Sequence, residues 1–431
     1  MKDQPYPSYK NSNVWWLGDI PSHWKIVRLK YCVNSIIGGG TPESTNDRFW
    51  SNNEEGIPWV KIGDMTKNSV VLKTERYLTK EGLESKGLQI FPVGTFLYSI
   101  FASLGKVAIL GIRAAVNQAI LGIEPDTRVL LRDFLKYWMN SIERNIILFS
   151  SSNTQDNLTK GKVRLLPIYI PPLQEQKEII SFLDGKIQKV DALIKRKKHQ
   201  IEVIQDKRAA LISHIITKGL DPDAPMKDSS IQWLGKIPKH WNIQRLKYTV
   251  KLINENVDEL KTDLPYIGLE HIESRTGKLL TQEMQTIDGK SKIFRTGDVL
   301  FGKLRPYLAK VIRTTFNGQC TGELLVMRPK LTIQDYLFYY ILSRDFIDIV
   351  NSSTYGAKMP RANWEFIGSL PLLLPPETEQ NTITEFLDRE TKYIDKLVMN
   401  VQNSIDKLLE YRLSLISACV TGKIDVRKEV A

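Results

Sequence analysis

The feature that most constrains this chain is a long helical pattern that occurs twice. From Leu183 the apolar positions run Leu183, Ile187, Val190, Ile194, Ile201, Ile204, Leu211 and Ile215 in steps of three and four, with Lys197 and Arg208 at the skipped sites. That spacing is a coiled-coil seam. Pro171 and Pro172 stand before it and Gly219 and Pro222 after it, so backbone chemistry bounds the helix at both ends. About 40 residues at ~1.5 Å each make a rod of roughly 60 Å, too long to bury its seam inside one small domain. A second long helix is therefore required, and the sequence supplies one 204 residues later. Pro375-Pro376, Glu379-Gln380, Phe386-Leu387-Asp388, Asp395 and Arg412 repeat Pro171-Pro172, Glu175-Gln176, Phe182-Leu183-Asp184, Asp191 and Arg208. The matching seam is Leu387, Ile394, Val401, Leu408 and Leu415.

A second repeat frames the rest. Trp16 to Tyr31 reads WLGDIPSHWKIVRLKY and recurs at Trp233 to Tyr248 as WLGKIPKHWNIQRLKY, identical at twelve of sixteen positions with an offset of 217. Because the two offsets differ, each half is a repeated frame around a variable insert, and the first insert is thirteen residues longer than the second. His23 and His240 lie in this frame beside Trp24 and Trp241; with no acid or nucleophile at matched spacing, they read as structural.

In the first insert Gly38-Gly39-Gly40-Thr41-Pro42 reads as a turn and Ile57 to Ile62 as a strand. Gly94 to Tyr98 and Lys106 to Leu110 read as strands around a turn at Leu104-Gly105, and Arg132 to Phe149 as an amphipathic helix. The second insert follows suit: Pro265 to Ile272 parallels Pro58 to Met65, and Gly297 to Phe301 parallels Gly94 to Tyr98. The expected fold is α+β, with α/β globular domains, two long antiparallel coiled-coil helices and an internal two-fold repeat. The expected domains are 1–170, 171–220, 221–374 and 375–431.

Sixty Lys and Arg against 48 Asp and Glu give a net charge of +12, which suits a polyanionic partner. The helical segments Gln174 to Leu220 and Glu377 to Lys428 carry only +4 and −1, leaving +9 for the segments between them. Those segments are the expected polyanion-binding parts. Lys303, Arg305, Tyr307 and Lys310 crowd into eight residues, a composition that reaches both phosphates and guanine edges. Lys358, Arg361 and Asn363, after Tyr355-Gly356-Ala357, form a second candidate, and Lys61 and Lys106 are the candidates of the first insert.

Catalytic signatures are sparse. Cys32, Cys320 and Cys419 show no C-x-x-C spacing, and the histidines form no ligand pair, so no metal or disulfide framework is expected. Gly289-Lys290-Ser291 ends like a phosphate-binding loop, but Met284 stands where the first glycine is needed. The Pro-Pro pairs of Ile170 to Leu173 and Leu374 to Glu377 lack the Asn/Asp-Pro-Pro-aromatic grip of DNA amino-methyltransferases. Asp64 followed by Glu84-Ser85-Lys86 has the D…E-x-K form of Mg²⁺-dependent nucleases, and a free-standing nuclease is the alternative reading. A coiled-coil scaffold whose inserts bind proteins is a third. Neither an apolar signal core nor a run of ~18 apolar residues is present, so no membrane span and a cytoplasmic location are expected.

The paired W-L-G-x-I-P-x-H-W openings and the helix starts Pro171-Pro172-Leu173-Gln174-Glu175-Gln176 and Pro375-Pro376-Glu377-Thr378-Glu379-Gln380 resemble the specificity subunit of type I restriction-modification systems over nearly the whole chain. Gly39 to Pro42 with Ile57 to Val60, and Gly302 to Tyr307, resemble segments of that family's target recognition domains. The resemblance implies a non-catalytic DNA-reading protein in which each insert reads one half of a split, asymmetric double-stranded target. It implies that the helices pair antiparallel as a spacer, and that two modification (methyltransferase) subunits and the restriction (translocase/nuclease) subunits dock on the chain. It also implies that S-adenosylmethionine, ATP and Mg²⁺ belong to those partners, with no cofactor in this chain. One departure is Glu377, where the first copy has Leu173, from which a different packing at the start of the second helix is expected.

Overall fold

The structure, a computed structural model, describes residues 5–427 apart from 15, 17, 53, 68, 102, 147–157, 258–263, 281–290 and 357. The chain forms two compact units, one of residues 1–196 with 404–431 and one of residues 197–403. The first long helix is Leu173–Lys218 and the second Glu377–Val420, so each helix contributes to both units.

Helix boundaries follow from the sequence. Gly219, after Lys218, and Gly422, after Val420, adopt φ of +79° and +71°, the left-handed conformation that ends a helix and that glycine enters without a Cβ clash. At Gly422 a Cβ would also lie 2.3 Å from Pro21. At the other ends, Gln176 and Gln380 each bond their backbone N–H to Pro172 and Pro376 at 2.9 Å. Their side chains donate to Pro171 and Pro375, again at 2.9 Å. Both helix starts therefore pack alike, contrary to the expectation drawn from Glu377. That side chain is exposed, and the glutamine, common to both copies, sets the geometry.

The helices run antiparallel within each unit. In the first, Ile179, Leu183 and Ile187 of the first helix share a core with Leu415, Ile416 and Cys419 of the second. In the other, Ile212, Ile215 and Ile216 share a core with Ile383 and Leu387. Along the seam Val190 and Ile194 are buried, while Ile201, Ile204, Leu211, Ile394, Val401 and Leu408 are half-buried. Arg208, a skipped seam site, is nevertheless buried: its guanidinium donates to the carbonyls of Arg275 at 2.7 Å and Thr276 at 3.1 Å. Burial holds its pKa below the usual arginine value.

The insert of the first unit carries a five-stranded sheet in the order Val33–Gly38, Ile120–Pro125, Phe96–Ser99, Val107–Leu110, Val70–Val71. All neighbours are antiparallel except the last pair. A four-stranded sheet, Ala115–Val116, Ile57–Val60, Arg76–Leu78, Trp50–Ser51, belongs to the same insert. The second insert repeats the central order with Val250–Ile253, Leu324–Pro329, Val299–Gly302 and Val311–Arg313. Strand Lys25–Arg28 pairs with Pro167–Ile170, and Asn242–Arg245 with Pro371–Leu374, which ties each insert's beginning to its end just before the long helix.

The expected helix from Arg132 to Phe149 is shorter. It runs Arg132–Ser141, breaks at Ile142 and resumes over Glu143–Ile146, where Ile142 and Ile146 both turn into the core. Residues from 147 lie outside the described part, as do Gly289 and Lys290 of the phosphate-loop look-alike. No helix among the described residues is long and apolar enough to cross a membrane.

Candidate nucleic-acid interface

The repeated frame is a clasp. Trp24 is fully buried because its ring packs in the core while its indole N–H donates to Glu175 at 3.0 Å. The same carboxylate takes the Tyr6 hydroxyl at 2.5 Å and meets the His23 Nε2 at 2.8 Å. Burial, then this bond, holds the Tyr6 phenol well above its usual pKa. In the second unit Glu379 meets His240 at 2.7 Å and accepts from Trp241 at 3.1 Å. The neighbouring glutamine holds the insert: Gln176 accepts from the Leu131 N–H and donates to Val129, and Gln380 accepts from the Ile333 N–H. The Glu-Gln pair thus fixes the frame with one side chain and the insert with the next, and both histidines serve the fold.

On this support, the second insert presents two segments side by side. The hairpin between Val299–Gly302 and Val311–Arg313 carries Lys303 to Lys310. The Arg305 N–H donates to Pro360 at 2.7 Å, Leu304 bridges to Arg361, and the Ala362 N–H donates to Lys303 at 2.9 Å. So the two basic stretches, separate in sequence, form one edge. Arg305 and Ala309 hold φ of +50° and +47°, left-handed values that cost a non-glycine residue about 1–3 kcal/mol and aim the Arg305 side chain outward. Arg305, Tyr307, Tyr355, Lys358 and Met359 are all exposed there. Burial and then the adjacent Lys303 lower the pKa of the Lys292 ammonium, whose Nζ donates to Leu324, while Glu323 opposes the shift; Lys303 itself has no acid paired with it among the described residues.

Not every candidate faces outward. Lys310 donates to the Leu269 carbonyl at 2.5 Å, and Arg361 pairs with Glu323 at 2.9 Å. Asn363 caps the helix Trp364–Ser369 by accepting from the Phe366 N–H. These three build the edge. In the first unit Lys61 pairs with Glu75 at 2.5 Å and Lys106 with Glu143 at 2.6 Å, so both charges are partly neutralised. The first hairpin, between Phe96–Ser99 and Val107–Leu110, carries Phe101, Ser103, Leu104 and Lys106, so Lys106 precedes its second strand as Lys310 does in the second insert. Nearby, Arg76 lies over the Trp50 ring at 3.6 Å, Trp50 packs on Trp59, and the Trp59 N–H holds the Gly40 carbonyl at 3.0 Å. That network links the glycine turn to the strand Ile57–Val60; sequence reading missed it because its members are spread over some 40 residues.

The nuclease reading finds no support. Asp64 is buried and accepts from the Lys61 N–H at 2.9 Å, closing the turn into its own helix, while Glu84 lies on the separate helix Lys80–Ser85. Among the described residues no cluster of three or more His, Cys, Asp or Glu could hold a metal ion.

Residues 21–203 and 241–407 match the family described as the type I restriction modification DNA specificity domain. The chain is 24% identical to the type I restriction enzyme MjaIX specificity subunit of Methanocaldococcus jannaschii, covering 96% of each chain. It is 23% identical to the EcoDI specificity subunit of Escherichia coli, over 70% of this chain and 72% of that one. Among solved structures, it superimposes with a TM-score of 0.64, at 15% identity and over 93% of this chain and 98% of the other, on a chain from work on complex assembly and conformational transition of the type I R-M system.

Proposed function

The chain belongs to the type I restriction modification DNA specificity family, and from that premise we propose that it is the non-catalytic subunit that reads a split, asymmetric DNA target, one half with each insert. The observation that carries this is one frame holding two unlike edges. The hairpin of the second insert carries Lys303, Arg305, Tyr307 and Lys310, whereas its counterpart in the first carries Phe101, Ser103 and Leu104 with Lys106 as its single cation. Two edges of different chemistry on a common scaffold read two different half-sites, because base-edge recognition depends on the donors and acceptors each edge presents. On the same reading, two modification subunits and the restriction subunits dock on this chain, and S-adenosylmethionine, ATP and Mg²⁺ act in those partners.

The test is selection of DNA from a random library by the full chain assembled with its modification subunits. The expected product is a bipartite motif with two dissimilar halves around unread base pairs. A contiguous or palindromic motif would overturn the reading.

A further inference from the structure

The two copies of the frame have been free to diverge at their surface. Exposed or half-exposed positions of the sixteen-residue motif differ between halves: Asp19 corresponds to Lys236, Ser22 to Lys239, and Lys25 to Asn242. Identities elsewhere in the motif have folding reasons, such as the buried Ile20 and Ile237, Trp24 and Trp241, and Leu29 and Leu246. Three identities have none. Arg28 and Arg245 are exposed, Lys30 and Lys247 are half-exposed and exposed, and Tyr31 and Tyr248 are 67% and 59% exposed. None of the six side chains makes a hydrogen bond or ion pair among the described residues. The lysine instead lies against the tyrosine ring, at 4.7 Å in one unit and 5.1 Å in the other, so the same cation-aromatic arrangement is built twice.

A surface that stays the same where the inserts differ meets something common to both units. We infer that Arg28-Lys30-Tyr31 and Arg245-Lys247-Tyr248 are paired anchors for the phosphate backbone of DNA, which gives each insert a sequence-independent grip; the inference rests on the DNA-reading assignment above. The chemistry favours phosphate over a protein surface. Each patch offers a guanidinium, an ammonium and a phenol hydroxyl within four residues, all donors to phosphate oxygens; arginine and tyrosine also suit protein interfaces, but the lysine and the lack of an aliphatic residue at the exposed positions favour phosphate. The second patch packs on the same helix that the edge leads into: a Cβ on Gly368 would lie 3.3 Å from the Cβ of Lys247, and the helix Trp364–Ser369 that holds Gly368 is capped by Asn363, two residues after Arg361.

The experiment measures DNA affinity against salt for the assembled wild type and for the double variants Arg28→Gln/Lys30→Gln and Arg245→Gln/Lys247→Gln, on target and scrambled duplexes. Each double variant is expected to lower the salt slope by about 2 and to weaken binding by at least roughly tenfold at ~0.1 M salt, equally on both duplexes. The ratio of target to scrambled affinity stays as in wild type. Unchanged slopes would overturn the inference. So would loss confined to the target duplex, which marks base reading, or loss of the modification subunits on co-purification, which marks a protein interface. If the wild type itself failed to prefer any sequence, the DNA-reading assignment would fall, and the slopes would still decide the phosphate contact.

Discussion

The two units solve the same problem with different tightness. In the second, the insert is tied to the long helix by Arg313, which bonds Asp388 at 2.9 and 3.3 Å and Asp335 at 2.7 Å, with the Tyr339 hydroxyl on the same Asp388 at 2.6 Å. In the first, Ile109 stands at the position of Arg313, and Asp184, the counterpart of Asp388, accepts only the Tyr137 hydroxyl among the described residues. The clasps are ranked the other way. Glu175 serves three donors with its side chain 5% exposed, whereas Glu379 serves two with 28% exposed. A duplicated scaffold thus keeps its two pairs of carboxylates, Glu175 and Glu379 and Asp184 and Asp388, while moving the stronger attachment from the frame in one unit to the insert in the other.

The largest expected effect breaks that ranking. Glu175→Ala strands the buried Tyr6 and Trp24 donors along with the exposed His23 and should cost about 3–5 kcal/mol, against about 1–2 kcal/mol for Glu379→Ala. Denaturant titration of the assembled protein measures both, and equal costs would show that the clasps are equivalent. Next, Arg305→Ala should weaken binding of the cognate duplex roughly ten- to a hundredfold, a loss of ~1–3 kcal/mol, and relax one half of the motif only. An equal loss on every sequence would make Arg305 a phosphate contact. Third, Arg313→Ala should cost about 1–2 kcal/mol after allowance for its partly solvated partners, and Tyr137→Phe about 0.5–1.5 kcal/mol. Hydrogen exchange resolved by unit separates the two. Smallest is Lys106→Ala: with the ion pair to Glu143 solvent-exposed, stability should change by less than ~0.5 kcal/mol and DNA affinity by less than about threefold. A larger affinity loss would place Lys106 on the first reading edge.

Much of the architecture was legible in the sequence. Two long helices, their seam, their starts at Pro171-Pro172 and Pro375-Pro376, and the framing motif were visible because periodicity and repetition are written in neighbouring residues. The strands around Gly94 and Gly297 were legible for a similar reason. Both glycines hold positive φ, at +89° and +92°, and each feeds the strand that follows. Less was legible of the interface. A lysine in a dense basic run looks the same whether it faces solvent, like Lys358, or is spent on a carbonyl, like Lys310.

The sequence by itself determined the duplication, the helices and which segments carry the excess charge. Only the tertiary structure decided which charges are free and what the repeated motif is for. Lys106 meets Glu143 across 37 residues, Arg361 meets Glu323 across 38, and Trp24 meets Glu175 across 151. The physical reason is range. Helical periodicity and backbone turns are set by steric and hydrogen-bonding preferences within a few residues, whereas the partner of a buried or charged group is chosen by the folded chain, which brings distant residues to within about 3 Å and leaves others, of the same type, in water.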